Sequence, residues 1–162
     1  LHILDGEYID IDNNLFICGT LWTDYNNEDP LTLLQSPLMI NDYRVIYNNG
    51  ERITPADILE KHKHFVKWVS QVDKIGYDNV ILVTHHSPSM QTIADHYKHD
   101  LRMNGLFSSN LDHLLTNFDY AFFGHQHDPN QPVVNDCMLL NNSRGYPFEK
   151  MHRDFSLKYI TI

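Results

Sequence analysis

A run of four apolar residues, Val-Ile-Leu-Val, occupies positions 80–83 of the chain. Continuous runs of this length, rich in β-branched side chains, are typical of strands buried on both faces, as in parallel sheets. His85 and His86 follow where the run ends, and Pro88 prevents further strand pairing. The pattern therefore predicts a buried strand with two histidines just beyond its carboxyl end.

A second apolar run, at 120–123, also ends in histidines, within the sequence Gly-His-Gln-His at 124–127. Gly124 permits a sharp turn or the close approach of another group. Side chains two positions apart in an extended segment project to the same side, so His125 and His127 can face one point. Because ligands of open α/β sheets bind beyond the carboxyl ends of strands, the two histidine pairs predict one shared crevice.

The N-terminal third predicts a hairpin followed by a long polar segment. Polar and apolar residues alternate over much of 7–20, around a turn predicted at 13–14. Residues 26–53 are rich in Asn, Asp and Pro and predict mostly loop, with a short helix near 31–34 and a tight turn at 48–50. Loops of this length in a compact domain are often lids or binding loops.

One long amphipathic helix is predicted next. The segment 54–57, Thr-Pro-Ala-Asp, combines a capping residue, a first-turn proline and an acidic residue at the third helical position. Apolar residues then recur on one helical face, and Gly76 is a natural end point. We expect His62 and His64 to lie on the surface or boundary of this helix.

Shorter elements are predicted in the C-terminal half. They are an irregular stretch at 87–105 that is partly helical at 91–98, a helix from Ser109 to 117 with Asp112 as capping partner, and strands near 132–140 and 155–162. The alternation of strands and helices indicates a layered α/β fold. We expect a single domain that covers residues 1–162.

Composition and charge exclude several classes of protein. The 162 residues suffice for one domain with a real core, and a hydrophobic content of 42% argues against disorder. A net charge of −9 argues against non-specific binding to a nucleic-acid backbone. No apolar run approaches the roughly 18–20 residues that span a bilayer, so we expect no membrane partner. Cys18 and Cys137 lie in apolar runs and predict free thiols, which fit a reducing compartment such as the cytoplasm.

The two histidine pairs together offer three or four imidazole ligands for metal ions. A closed structural zinc site often uses cysteine, and neither cysteine is placed to help. An open site for hydrolysis, in which metal ions activate water, fits better. Two-metal sites also need carboxylates, and the candidates Asp24 and Asp128 do not stand at clear strand ends. The donor set in the sequence is therefore incomplete.

Taken together, these motifs resemble those of the calcineurin-like metallophosphoesterases. Thr-His-His-Ser-Pro at 84–88 and Gly-His-Gln-His at 124–127 look like the third and fourth metal motifs of that family. Gly-Thr-Leu-Trp-Thr-Asp at 19–24, Asn-Asp-Tyr-Arg at 41–44 and Asn-Ser-Arg-Gly-Tyr at 142–146 resemble its bacterial and phage-associated branch. The resemblance covers nearly the whole chain.

The resemblance implies part of a layered α/β/β/α sandwich, with mixed sheets flanked by helices. It implies phosphoester hydrolysis by a metal-bound hydroxide at a site for two divalent ions, drawn from Mn, Fe, Zn and Co. His125 would bind one ion and His127 the other. Of His85 and His86, one would bind metal and the other would support it or assist catalysis. The position directly after Thr84 favours His85, whereas the His-x-Pro spacing favours His86.

Two further residues receive roles from the resemblance. Arg144 would face the phosphate and assist catalysis, because a guanidinium pairs with two phosphate oxygens at once. A surface loop arginine is the alternative. Asp24 would contact substrate, since residues 22–25 would rim the pocket. For Trp22, plain core packing is an equal alternative.

The N-terminal metal motifs of the family, Asp-x-His, Gly-Asp and Gly-Asn-His-(Asp/Glu), are absent from the sequence. They would supply a bridging aspartate, an asparagine ligand and a histidine that assists the leaving group. We therefore expect a chain that begins at Leu1 to be the C-terminal portion of such an enzyme, which needs an N-terminal segment, cleaved or encoded separately, for activity. The alternative is a non-catalytic binding or assembly module that forms homo-oligomers through an uncovered sheet edge.

Overall fold

A computed structural model of the protein describes residues 2–162, except for the side chain of Lys150, and shows a mixed α/β fold. The strands of the described residues are β1 (Glu7–Ile11), β2 (Asn14–Gly19), β3 (Tyr47–Asn48), β4 (Glu51–Arg52), β5 (Asn79–Thr84), β6 (Tyr120–Phe123), β7 (Val133–Val134) and β8 (Cys137–Asn141). Strands β3 and β4 form a separate hairpin. The other six form one mixed sheet flanked by helices, which confirms the predicted α/β class.

The six-stranded sheet has the order β1-β2-β5-β6-β8-β7. Its four central strands run parallel, and the two edge strands are antiparallel to their neighbours. In the β5–β6 pair, Val83 lies opposite Phe122. Both strands end one residue after this pair, at Thr84 and Phe123. The residues that follow the two strands therefore lie next to each other at the same edge of the sheet.

The helices flank this sheet and its loops. They are α1 (Tyr25–Glu28), α2 (Pro30–Met39), α3 (Asp42–Val45), α4 (Pro55–Gln71), α5 (Leu101–Asn104), α6 (Asp112–Leu115) and α7 (Lys150–Arg153), with 3₁₀ turns at Met90–Thr92 and Asp95–Tyr97. All four residues of α1 have φ between 54° and 62°, so α1 is one left-handed turn. None of the helices in the described part of the chain is long and apolar enough to cross a bilayer.

Helix α4 forms the main core against one face of the sheet. Its Thr54 and Asp57 form the predicted capping box, in which the Asp57 amide donates to Thr54 Oγ1 at 3.2 Å and the Thr54 amide donates to Asp57 Oδ2 at 2.8 Å. Phe65 and Val69 pack in a cluster with the inward residues of β2, β5, β6 and β8. A methyl group at Gly19 would overlap the Phe65 ring, so the glycine allows α4 to approach β2 closely.

The opposite face of the sheet is also apolar, but it takes no part in the clusters that the helices form. Phe16, Ile81, Val83, Phe122 and Leu140 alternate with core residues along their strands and so lie on this face. Ile81 is buried among its neighbours and the other four are half-buried. None of the five belongs to or packs against either core cluster in the part of the chain that the structure describes.

Two predictions in the N-terminal half were wrong in detail, and a third was confirmed. The β1–β2 turn lies at Asp12 and Asn13, whose φ values of 53° and 65° suit a tight hairpin, because Asn14 already pairs with Ile11. The segment 26–53, predicted as mostly loop, contains helices α2 and α3. Asp29 caps α2, because its Oδ2 accepts a hydrogen bond from the Thr32 amide at 2.7 Å. The predicted turn at 48–50 is present between β3 and β4.

His62 was predicted at the helix surface or boundary, yet it is only 4% exposed. It lies on the buried face of α4, between Ile58 and Phe65. Its Nδ1 lies 3.1 Å from the carbonyl oxygen of Leu21, so an irregular loop supplies the polar partner that burial requires. Burial lowers the pKa of His62. His64 is exposed, as expected.

Several C-terminal elements also differ from the prediction. Residues 155–162 form no strand, and 132–140 divides into β7 and part of β8 around a tight turn at 135–136. Helix α6 begins at Asp112 without a side-chain cap, because Ser109 Oγ accepts from the Asp24 amide instead. Gly76 lies beyond the end of α4 at Gln71. Cys137 is a buried free thiol, and burial raises its pKa to about 12.

Candidate functional site

The carboxyl ends of β5 and β6 bring the two histidine pairs together. The Gly124 amide donates to the carbonyl oxygen of His85 at 3.0 Å, which holds the two strand ends in contact. A Cβ atom at Gly124 would stand 3.2 Å from His85 Nδ1, so only a glycine leaves the His85 ring unhindered here. The shared crevice that the sequence predicts is therefore formed by the described residues.

Three of the histidine rings contact one another. The ring centroids of His86 and His125 are 4.4 Å apart, those of His85 and His125 are 4.9 Å apart, and those of His85 and His86 are 5.1 Å apart. Three imidazoles this close would repel one another if they were protonated. Their proximity therefore favours the neutral form, which is also the form that binds metal ions.

His125 occupies the centre of this group. Its backbone has φ 58°, in the left-handed region, and its ring packs against Phe107 with centroids 4.5 Å apart. Burial, followed by the charges of His85 and His127, lowers the pKa of His125 to about 4. Its Nε2 is buried without a hydrogen-bond partner among the described residues. An unpaired buried nitrogen costs free energy, and a neutral one is available as a ligand atom.

The neighbours His85 and His86 differ in their surroundings. His85 is exposed and lines a cleft, and desolvation lowers its pKa while Asp42 opposes this effect. His86 is 2% exposed, and its Nδ1 lies 3.3 Å from the carbonyl oxygen of Thr20, which can only accept. Burial holds the pKa of His86 well below its ordinary value. His85 thus faces the cleft, and His86 packs behind it against Trp22.

His127 is oriented by a carboxylate that the sequence analysis did not identify. Its Nδ1 lies 2.8 Å from Glu149 Oε2, which leaves Nε2 free. The same Glu149 oxygen accepts from the Tyr146 amide at 2.7 Å. Histidines that bind metals are commonly held in this way by a carboxylate on the other ring nitrogen. No spacing in the sequence could indicate this contact, because it joins residues 22 positions apart.

The residue between His125 and His127 is anchored inside the protein. The side chain of Gln126 is buried, and its Nε2 donates to Thr92 Oγ1 at 2.9 Å and to Ser108 Oγ at 2.6 Å. His125 and His127, on either side of it in the sequence, both line the cleft. The sequence analysis missed this role, which a polar residue between two candidate ligands could have suggested.

The histidines open onto a cleft of about 1390 Å³. Of the predicted site residues, His85, His125, His127 and Arg144 line it, together with Asp128. Other lining residues are Trp22, Met39, Asp42, Ile46, Tyr97, Met103, Phe107, Tyr146 and Glu149. The segment 39–46, predicted as a loop over the site, contributes one wall.

Asp24, predicted to contact substrate, is not brought to this cleft. It is absent from the residues that line the cleft, and its backbone amide donates to Ser109 Oγ at 3.0 Å. Its charge instead acts on His62, where it opposes the effect of burial on the pKa. Its Oδ1 is buried without a hydrogen-bond partner among the described residues.

The donor atoms fit a metal site only in part. The unpaired Nε2 of His125 and the neutral rings around it suit a divalent ion. However, within residues 2–162, Lys150 excepted, no group of three or more His, Cys, Asp and Glu side chains has the geometry to hold one. Comparison with protein-family models, curated proteins and solved structures gave no match to this chain.

Proposed function

We propose that this chain forms part of a metal-dependent phosphoester hydrolase, as its resemblance to calcineurin-like metallophosphoesterases implies. The observation that supports the proposal most directly is the convergence of His85, His86 and His125 beyond two adjacent parallel strands. The Nε2 of His125 is buried without a hydrogen-bond partner among the described residues, and a bound metal ion would satisfy it.

In this proposal His85, His125 and His127 hold two divalent ions, drawn from Mn, Fe, Zn and Co. Such ions would activate a water molecule for attack on phosphorus and neutralise charge on the phosphate. The chain's own contribution is orientation, since Glu149 fixes the His127 ring and the Thr20 carbonyl fixes the His86 ring. His86 supports the neighbouring ligand from behind, because its ring does not line the cleft.

In this proposal Arg144 binds the phosphate. Its side chain is exposed and lines the same cleft as His125 and His127. Its closest recorded polar neighbour is His152, at 3.5 Å between Nη2 and Nε2, so no carboxylate of the described residues neutralises the guanidinium. A guanidinium in this position can donate two parallel hydrogen bonds to phosphate oxygens.

In this proposal a further segment supplies the remaining carboxylate ligands, and the apolar sheet face opposite α4 suggests where that segment packs. An apolar sheet face is stable only when another layer covers it, and a second sheet packs face to face at about 10 Å. We infer that a further β-layer, carrying the Asp-x-His and Gly-Asp motifs, packs on Phe16, Ile81 and Phe122. The result is the layered α/β/β/α sandwich.

A reconstitution experiment tests the proposed function. The purified 162-residue chain with Mn²⁺ should hydrolyse p-nitrophenyl phosphate weakly or not at all. Addition of a segment that carries the three N-terminal motifs should restore hydrolysis. In the reconstituted sample, His125→Gln should abolish the activity, whereas His64→Gln, on the exposed side of α4, should leave it unchanged. Failure of every such segment to rescue activity would count against the proposal.

A non-catalytic binding or assembly module is the second candidate function. The metal-ligand group of the described residues is incomplete, which favours a role that needs no ion. The apolar sheet face opposite α4 belongs to neither core cluster, which favours association with a partner. Elemental analysis of the native protein separates the two candidates. A folded oligomer that carries no transition metal supports the module, and a near-stoichiometric content of Mn, Fe, Zn or Co supports the hydrolase.

A further inference from the structure

Two exposed aromatic rings stand at the rim of the cleft, in the loop that follows β8. The rings of Tyr146 and Phe148 are stacked, with centroids 5.5 Å apart and an interplanar angle of 16°. The two residues are 57% and 76% exposed. Tyr146 lines the cleft and Phe148 does not, so Phe148 supports the tyrosine ring from outside. A flat apolar surface is therefore presented to whatever occupies the cleft.

The Tyr146 ring is held at a fixed position relative to the histidines. Its centroid lies 4.8 Å from that of His127, edge to face, and its amide donates to the Glu149 oxygen that also binds His127. Arg144 is only two residues away, across Gly145 with φ 73°. One short loop thus carries a cation for a phosphate and an aromatic ring, and the ring contacts a histidine of the site.

The cleft is much larger than a phosphate group needs. Its volume of about 1390 Å³ exceeds the roughly 300–1000 Å³ usual for small-molecule pockets. Ile46, Met103 and Phe107 give parts of the wall an apolar character, and Tyr97 adds a second exposed ring. The cleft of this chain therefore has room for a sizeable group with apolar surface beside a phosphate.

Charge limits the size of that substrate. The protein carries a net charge of −9, and Asp42, Asp100 and Asp128 line the cleft itself. A long nucleic-acid strand would meet repulsion from these carboxylates and would find no extended basic groove. A single phosphate beside Arg144 avoids most of this repulsion. The charge pattern therefore favours a small monophosphate over a polyanion.

We infer, building on the proposed function, that the site takes nucleoside monophosphates or related phosphoesters of a flat aromatic group. The phosphate binds at Arg144 and the histidines, and the base stacks on the exposed part of the Tyr146 ring. Stacking of a base on an aromatic side chain is sequence-tolerant, because every base has a π-face. The inference specifies the substrate class and does not depend on how the metal site is completed.

Binding measurements in a chelator separate this inference from the hydrolase proposal. Dissociation constants for adenosine 5′-monophosphate and ribose 5-phosphate, which differ only in the base, are measured by calorimetry on the purified chain. We expect the nucleotide to bind about 5- to 150-fold more tightly, the range that one stacked base supplies. Tyr146→Ala should remove most of this preference, and Tyr146→Phe should retain it. Tyr8→Ala, at a residue 56% exposed on the edge strand, is the matched control and should change nothing.

Three results would overturn the inference. They are equal affinity for the two ligands, no binding of the nucleotide at millimolar concentration, and an unchanged preference in Tyr146→Ala. Folding of each variant is checked by circular dichroism, and Tyr146→Phe keeps the ring if the alanine variant is damaged. An absence of hydrolysis in the reconstitution experiment leaves these binding results intact, so the two proposals fail separately.

Discussion

Lowering the pH should destabilise this protein through His125, whose ring is largely buried in its neutral form. The pKa of His125 is lowered from about 6.5 to about 4, chiefly by burial. Below pH 6.5 the unfolded chain therefore binds more protons at this position than the folded chain does. Stability contributed in this way is complete above about pH 7.5 and is lost as the pH falls from about 6.5 towards 4.

The expected size follows from the pKa difference. Each pKa unit corresponds to about 1.36 kcal/mol, so at pH 5 the unfolded His125 is favoured by about 2 kcal/mol relative to pH 7.5. His62, His85 and His86 also have lowered pKa values and add to the loss. Asp42 acts in the opposite direction, because burial raises the pKa of its carboxyl group. A comparison of variants is therefore needed to isolate His125.

Urea unfolding, followed by circular dichroism with EDTA present, measures this effect. The free energy of unfolding is determined at pH 7.5, 6.0 and 5.0 for the parent chain, for His125→Gln and for the exposed control His64→Gln. The parent and the control should lose stability in parallel, and His125→Gln should lose about 2 kcal/mol less between pH 7.5 and 5.0. Identical pH dependence in the parent and His125→Gln would refute the argument that His125 is buried in its neutral form.

Two further predictions concern single residues. Glu149→Gln should weaken Mn²⁺ binding about 10- to 100-fold in the reconstituted protein, because the carboxylate that orients the His127 ring is lost. Mn²⁺ titration measures the affinity, with the exposed Glu51→Gln as the control. Unchanged affinity would show that the contact does not orient His127. Gly19→Ala should destabilise the fold by about 1–3 kcal/mol in urea unfolding, because the added methyl group overlaps the Phe65 ring. Gly50→Ala is the comparison variant. Its added Cβ meets open space, so any loss of stability there comes from backbone strain at φ 87° and not from overlap.

The sequence predicts those parts of the fold that depend on local chemistry. The capping box at Thr54 and the strands before His85 and His125 follow from neighbouring residues, and the structure contains all of them. Failures occurred where distant groups decide the outcome. His62 is buried because a loop carbonyl reaches it, and residues 155–162, although apolar at alternate positions, find no strand to pair with.

The candidate site shows the same division. Convergence of the two histidine pairs follows from parallel strands, which place successive carboxyl ends at one edge. The partners that orient the histidines, Glu149 and the Thr20 carbonyl, lie 22 and 66 residues away from them. The inward rotation of Gln126 depends on Thr92 and Ser108, which lie in loops without a recognisable motif. Such contacts are set by tertiary packing and leave no periodic trace in the sequence.

The uncovered sheet face has a consequence for how the stability of this protein should be measured. Anything that covers Phe16, Val83 and Phe122 binds only the folded chain, so it shifts the unfolding equilibrium by mass action. If a second copy of the chain or an added segment covers this face, the melting temperature will rise with the concentration of that partner. A thermal midpoint for this protein therefore has meaning only together with the concentration at which it was recorded.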